Sequence, residues 1–550
     1  MAALSNKQIA RAAVIVVGGF VASGVLGFIN TAVVSSTFGA SNALDAFYAA
    51  QRIPEALFTL VAGGALGSSF IPVFARFMTN GDDDGAWQLA SAVLSSVFVI
   101  TSILAILTAI CAPIIVPKFL DPGSSAAQQA LTISLTQIML VTVAIFGVSG
   151  LLMGILNARQ NFTLPALALS MDNLGQIFGA LVLTRLIHPY GLHYAMLAPN
   201  FAHLLAGGIP ADFERPIYGL AFGAVLGASL HLAVQLPGLR QIGAKLRFNP
   251  NVRIEGVSEV LLLMGPRVLG LAVVQINFIV NVNLTSGMVS GSLSALVIAW
   301  SLLFFVLGVI AQSVGTAVFP SLSALAAAKD MAGFKDRLAA ALRSVLFLSF
   351  PAMIGMIVLG APAIALLYQR GVWSPEDTAA TAWALSFFAI GIAGHSLLEV
   401  LSRAFYALSD TRTPVLVGIA SMISNVILSL IFIHVIGDPT SLSRGPFAGL
   451  ALSMSLTTLL EALTLWLLLR RRIGDLHDRV IVNAASRALI AALGMGACVW
   501  GVVHVTEGYS PIITAIVGLI VGLVAFFGLA FALGIEEART VPRTILRRVK

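Results

Sequence analysis

The sequence predicts an all-α polytopic membrane protein of about fourteen transmembrane helices, arranged as two pseudo-symmetric six-helix lobes plus two C-terminal helices. Three observations lead there. Of 550 residues, 58% are apolar and 10% charged, with a mean hydropathy of +0.97; a soluble domain has about 45–50% and about 25%. The apolar residues fall in runs near the 20 or so that cross a bilayer. Short words also recur at a nearly constant spacing along the chain.

The runs lie at 10–36, 44–76, 88–116, 128–156, 162–187, 216–238, 257–283, 289–323, 337–367, 379–405, 414–436, 447–469, 485–505 and 511–534. The stretch 188–215 reads either as a lumenal loop with a short interfacial helix or as a broken span. An extra span there would invert everything after it, so the basic residues serve as a check. With fourteen spans and the N-terminus inside, 24 of the 31 Lys and Arg fall in inside segments and 5 in outside segments. Such asymmetry supports fourteen spans with both termini cytoplasmic. The net charge of +7 then belongs to cytoplasmic loops, and no nucleic-acid partner is expected. "MAALSNKQIAR" runs straight into apolar sequence without a clear cleavage site, so the first helix is expected to stay.

The repeat pairs "GSSFIP" (67–72) with "GTAVFP" (315–320), an offset of 248. Gly85 meets Gly333 and Leu94 meets Leu342 at the same spacing. "CAP" (111–113) meets "GAP" (360–362), and Pro165 meets Pro414, at 249. Six spans per repeat give both copies one orientation, hence two lobes related by an axis along the membrane normal with a site between them near mid-bilayer. The expected organisation is 1–245 for the first lobe, 246–475 for the second, and 476–550 for two accessory helices and a basic tail.

Charges inside such spans cost about 2.5–3.5 kcal/mol each at the helix centre, so they are expected to face a cavity or a partner. Asp45 opens the second span; it either caps that helix, favoured by the positive dipole end, or takes part in gating or substrate contact. Arg52 and Glu55, three apart, share a helix face, with Pro54 between them to weaken the backbone ladder. They read as a self-neutralising pair at a kink or as a cavity lining. Arg267 lies about 15 Å into its span with no acidic neighbour within a turn; Gln275 and Asn277 are polar companions in the same span. His395 and Glu399, four apart with Arg403 a turn further, form a row suited to a proton or cation relay or to a structural ladder. Asp172 and Glu461 are single acids expected to pair with a neighbouring helix.

No phosphate loop, HExxH or GxSxG in a strand–turn–helix context occurs. Cys111 and Cys498 lie in apolar runs without metal-ligand spacing, and "GDDDG" (81–85) reads as a solvated loop. The sequence thus predicts a protein that is not an enzyme, with no metal and no cofactor beyond coupling to Na⁺, H⁺ or membrane potential.

Several words carry a resemblance. "VLGFINTAVVSSTFGASNALDAFYAAQRIPEALFTLVAGGALGSSFIPVF" (25–74), "GILNARQNFTLPALAL" (154–169), "QLPGLRQIG" (235–243), "MGPRVLG" with "QIN" (264–277) and "LSRAFYALSDTRTPV" (401–415) together resemble the MurJ (MviN) lipid II flippases, in the same order. That family belongs to a superfamily shared with multidrug antiporters and polysaccharide flippases. The resemblance implies twelve core helices in two lobes, two further helices, and transport of an undecaprenyl-diphosphate-linked precursor across the plasma membrane for peptidoglycan and cell-wall synthesis. It implies alternating access through a cationic cavity, with cell-wall synthesis proteins as candidate partners.

Departures from the family pattern are as informative. Family members usually carry arginines where this chain has Gly24 and Asn30, an acid at Thr31, arginines near Phe58 and Ser301, and often a glutamate at Gly63. Asp45 is retained, and Arg52 falls at a commonly basic position. The resemblance thus implies a cavity lined by Arg52, Arg267, Asn30, Asp45, Glu55, Gln275 and Asn277, with much of the usual positive charge replaced. Three functions are expected to compete: a lipid II flippase with a relocated cation set, a paralogous exporter of another lipid-linked glycan or amphiphile, and a non-transporting cell-wall scaffold.

Overall fold

A computed structural model describes residues 6–61, 65–187 and 217–538, with side chains for 18–60, 69–186, 217–264, 271 and 275–538. The segment 188–215 and Gly63 lie outside the described residues. All described secondary structure is helical, in two compact units divided between Leu293 and Ser294.

The first unit contains α1 (Asn6–Phe38), α2 (Asn42–Val61), α3 (Ala65–Thr79), α4 (Asp83–Ile115), α5 (Ala126–Met139), α6 (Val141–Ala158), α7 (Thr163–Phe178), α8 (Ile217–Ala233), α9 (Leu236–Gln241) and α10 (Val257–Thr285). In α4 the apolar residues divide by face. Leu89, Ala90, Val93 and Val97 pack on Phe70, Phe74 and Ile155, whereas Ile103, Ile106, Ile110 and Ile114 are exposed. A helix apolar on both faces is expected where one face meets lipid. α10, the seventh span, sits with the first six: Arg76 of α3 makes a two-pronged ion pair with Glu259 (3.0 and 2.6 Å), and Asn283 donates to the Phe119 carbonyl at 2.9 Å.

The closest helix contact in this unit was not anticipated. Along α7 and α8, glycines face one another. A Cβ on Gly175 would lie 2.2 Å from the Gly227 Cα, one on Gly179 would lie 2.6 Å from the Gly223 Cα, and one on Gly219 would lie 2.3 Å from the Thr184 backbone nitrogen. Small residues four apart let helix backbones approach where lipid offers no hydrophobic drive. The signal was present as small residues at 175, 179, 219, 223 and 227.

The second unit comprises α11 (Ser292–Leu307, whose first two residues precede the boundary), α12 (Ser313–Ala327), α13 (Met331–Tyr368), α14 (Pro375–Ile390), α15 (Ile392–Ala407), α16 (Arg412–Val435), α17 (Phe447–Ile473), α18 (Asp478–Val505) and α19 (Pro511–Ala532). Leu338, Leu342, Val400, Phe405, Leu465 and Leu469 form its core. The last two helices pack on α13 through Phe347, Ala491, Met495 and Phe526, with the Phe347 and Phe526 rings 5.1 Å apart.

Among the described residues, eleven helical stretches are long and apolar enough to cross a membrane, or twelve when the bent pair α14–α15 is one span. The helices α2 with α3, and α10, stand at the two further expected passes, in keeping with roughly fourteen. One expected span is bent as a broken pair, and two others carry local irregularities. Residues 128–156 divide at Leu140, and 379–405 bend by 44° at Gly391, where a Cβ would lie 2.7 Å from the Ser455 hydroxyl. Residues 289–323 contain a π-helical turn at Gly308–Gln312. Hydropathy cannot see these breaks because the flanking residues stay apolar.

The repeat is visible in the caps. The Asp82 carboxylate accepts from the Gly85 N–H at 2.8 Å, and Asp330 accepts from Gly333 at 2.9 Å. Immediately before these caps, Gly81 and Lys329 both have positive φ (80° and 57°). Ser125 caps α5 and Ser374 caps α14, and Gln160 and Ser409 share φ near 60°. Each pair keeps the spacing of the apolar words.

Candidate functional site

In α2, Asp45, Tyr48, Arg52 and Glu55 recur at steps of three and four, which places them along one face. Arg52 pairs with Glu55 at 2.8 Å, its side chain 15% exposed against 40% for the glutamate. The guanidinium also lies 5.4 Å from the centre of the Phe278 ring of α10, a cation–π distance. A cation in this place is therefore balanced twice, by a carboxylate and by a ring face.

Next to this pair lies a polar chain linking α1 and α7. Asn30 donates to Gln176 (3.1 Å) and to Asn173 (3.4 Å), and Gln176 donates to Asp172 at 2.9 Å. Glu55 is within electrostatic reach of Asp172. Asp172 bonds within its own helix and lies against Gly227 of α8. The chain's buried Asn30 Oδ1 accepts no hydrogen bond among the described residues. Asn173 and Gln176 carry no charge, and nothing local in the sequence says that Asn30 reaches them across 143 and 146 residues of chain.

Asp45 does more than sit in a first turn. It is buried, and its carboxylate accepts from the Gly291 N–H at 2.7 Å, across 246 residues of chain. Gly291 has φ of 90° and its α-carbon faces the Ala40 carbonyl, where a Cβ would lie at 2.6 Å. Beside this bond is a small polar cavity shared by Asp45, Asp121, Thr285 and Ser286. Asp121 accepts from Ser124 and from Thr132 (3.2 Å), and burial holds its pKa above the usual carboxylate range.

On α10, Asn277 accepts from Asn281 at 3.5 Å, and Gln275 is half-buried. Arg267 lies in the same helix, but its side chain is outside the described residues.

In the second unit, the row on α15 resolves into two parts. Glu399 pairs with Arg403 at 2.7 Å, and Arg403 donates to the Gln312 carbonyl at 3.4 Å, at the end of the π-helical turn. A Cβ on Gly315 would lie 2.0 Å from the Arg403 guanidinium, so the glycine of the repeated "GTAVFP" word leaves the space that this arginine occupies. His395 stands apart from that pair, edge-on to Trp300 with ring centres 5.9 Å apart, and its Nε2 has no hydrogen-bond partner among the described residues. Glu461 faces Ser421 and Gly418 of α16. Among the described residues no group of three His, Cys, Asp or Glu is placed to hold a metal.

The motif "LSRAFYALSDTRTPV" proves to be a helix start. Asp410 accepts from the backbone N–H of Arg412 (3.1 Å) and Thr413 (3.0 Å) and from the Thr413 hydroxyl (2.8 Å), and it pairs with Arg472. These bonds, Thr413 foremost, hold its pKa below the ordinary carboxylate range.

Known proteins with similar sequences point to one family. The family model for lipid II flippase MurJ matches residues 34–520. A lipid II flippase MurJ from Burkholderia cenocepacia is 30% identical over 84% of this chain and 84% of its own length. A probable lipid II flippase MurJ from Vibrio cholerae is 28% identical over 96% of this chain and 97% of its own. Among solved structures, a lipid II flippase MurJ in an inward closed conformation aligns with TM-score 0.72 at 24% identity, covering 94% of this chain and 99% of that one. An inward-facing multidrug resistance MATE family transporter of the MOP superfamily aligns with TM-score 0.65 at 15% identity, over 83% of this chain and 96% of its own. The chain belongs to the lipid II flippase MurJ family.

Proposed function

We propose that this chain flips lipid II, the lipid-linked peptidoglycan precursor, across the bacterial plasma membrane by alternating access. The observation that carries the reading is the family match over residues 34–520, which takes in both compact units. The α2 face adds a physical reason: a diphosphate brings about two negative charges, and leaving them unpaired at low dielectric costs several kcal/mol. Arg52 and Arg267 are the intramembrane cations we assign to that charge, with Asn30, Asp45, Glu55, Gln275 and Asn277 as polar lining. Both termini are placed in the cytoplasm by the distribution of Lys and Arg. Cell-wall synthesis proteins are the proposed partners. Coupling to Na⁺, H⁺ or membrane potential is part of the same proposal, with His395 and Glu399 as its candidates.

A second reading has its own support. Arg52 is already paired with Glu55 at 2.8 Å, and Asn30, where relatives usually carry arginine, donates its amide to Gln176. Such a site suits a less anionic amphiphile, as in a paralogous exporter. Complementation of a bacterium depleted of its lipid II flippase separates the two. Under the first reading the wild-type chain restores growth and Arg267→Ala or Arg52→Ala abolishes it. Failure of the wild-type chain, while cysteines introduced along α2 still react from both sides of the membrane, favours the exporter.

A further inference from the structure

Near one end of the second unit, away from every residue assigned above, α13, α18 and the segment after α19 enclose a cavity of about 310 Å³. Arg479, Asn483 and Arg487 line it from α18 at steps of four, a single ridge on that helix. Arg343 faces them from α13, and Glu536 and Glu537 close the other side. Both glutamates approach Arg343 only to 3.4 Å. Among the described residues neither Arg479 nor Arg487 has a carboxylate within ion-pair distance; Arg487 donates only to the Leu533 carbonyl, at 3.4 Å. The ridge is exposed, so its guanidinium groups are open to a ligand.

Depth locates this cluster in the membrane. α13 has 38 residues, about 57 Å of helix against about 30 Å of hydrocarbon, so Arg343, about 18 Å from its start, falls near the head-group boundary. Arg487, about 13 Å into α18, falls at a matching level. Immediately deeper the surroundings turn apolar: Phe347, Ala488 and Ala491 are buried together, while Ile490 and Leu493 are 58% and 54% exposed on the lipid-facing side of α18. A cationic mouth above an apolar, outward-facing stripe matches a phosphate joined to acyl chains. Guanidinium forks bind phosphate oxygens in pairs, and basic pockets between spanning helices take anionic lipid head groups.

We propose that this cavity binds the phosphate head group of an anionic phospholipid, with its acyl chains lying along Ile490 and Leu493. The site is separate from the transport reading and stands or falls without it.

The test uses purified full-length protein in detergent, with native mass spectrometry to count bound phosphatidylglycerol, cardiolipin or phosphatidylcholine, and inorganic phosphate as the soluble arm. The wild type is expected to retain the anionic lipids over phosphatidylcholine. The pair Arg479→Gln with Arg487→Gln is expected to weaken that binding on the order of tenfold or more. Arg240→Gln with Arg247→Gln, exposed arginines of the first unit, should leave it unchanged. Glu536→Gln with Glu537→Gln should tighten it, an effect that misfolding does not produce. Equal binding by the two arginine pairs overturns the site. Competition by inorganic phosphate at concentrations near those of the lipid overturns the lipid as its ligand.

Discussion

The fifth and sixth spans and their repeat mates, the eleventh and twelfth, are paired alike in the two units yet held together by different chemistry. In the first unit α7 and α8 meet through glycines, with backbone against backbone. In the second, α16 and α17 share one such approach, where a Cβ on Gly449 would lie 2.7 Å from the Phe432 backbone, and otherwise meet through side-chain hydrogen bonds. Asn425 donates to Ser453 (3.3 Å) and Thr457 (3.4 Å), and the Ser429 and Ser453 hydroxyls lie 2.7 Å apart. The pairing survived while the seam changed, because lipid offers two ways to hold helices together: close packing of small residues, or polar contacts that hydrocarbon cannot replace. The first tolerates no added volume along its length, whereas the second is tight only at Gly449 and is otherwise a sum of modest terms.

That difference can be broken deliberately. Gly223→Leu drives a side chain into a backbone that a bare Cβ would already meet at 2.7 Å. A loss of about 3 kcal/mol or more is expected, read as absence of monodisperse protein on size exclusion. Recovery at wild-type yield would refute the glycine seam. In the polar seam, Asn425→Ala removes two hydrogen bonds worth about 0.6 kcal/mol each, so folded protein should persist with a lowered unfolding midpoint.

The helix starts sharpen the contrast further. Asp410 stands at the repeat position of Asn161, whose side chain makes, among the described residues, only a 3.4 Å hydrogen bond with Gln241. Asp410→Ala should cost about 1 kcal/mol, and Asn161→Asp should recover a few tenths in the first unit, both measured by denaturant titration in detergent. No gain from Asn161→Asp would mean that the two helix starts are not equivalent.

Acid gives the smallest expected effects, and they have opposite signs. The Asp410 pKa is held low by Thr413 and Arg472, so its contribution is present above the ordinary aspartate value of about 3.9 and is lost as pH falls through the depressed one. Asp410→Ala should flatten the acid limb of the stability profile. The Asp121 pKa is held high by burial; its contribution is complete below about 3.9 and lost as pH rises through the raised value. Asp121→Asn should remove that loss. An unchanged profile for either variant would count against its assigned cause.

Much of the fold was legible. Hydropathy located the passes, and the 248-residue spacing located the repeat, down to matched aspartate caps at Asp82 and Asp330. The site was legible only where a charge announced it. Arg52 and Glu55 stood out in the sequence, and their pairing follows from three-residue spacing on a helix. Asn173 and Gln176 did not stand out, nor did the Gly291 N–H that engages Asp45: an uncharged amide is as polar as a carboxylate on a hydropathy scale but names no partner, and nearly every residue has a backbone donor. The i, i+4 row on α15 also left its partner undecided. Spacing allowed Glu399 either His395 or Arg403, and the approach of α12 at Gly315 accompanies the choice of Arg403.

By itself, the sequence determined that this chain lives in lipid, how often it crosses, and that its two halves repeat, since these depend on composition and period along the chain. The tertiary structure alone decided which helices touch, by glycine or by hydroxyl, and which backbone donor or arginine meets Asp45 and Glu399. Those outcomes depend on distances between residues far apart in the chain, and such distances exist only once the backbone has closed around them.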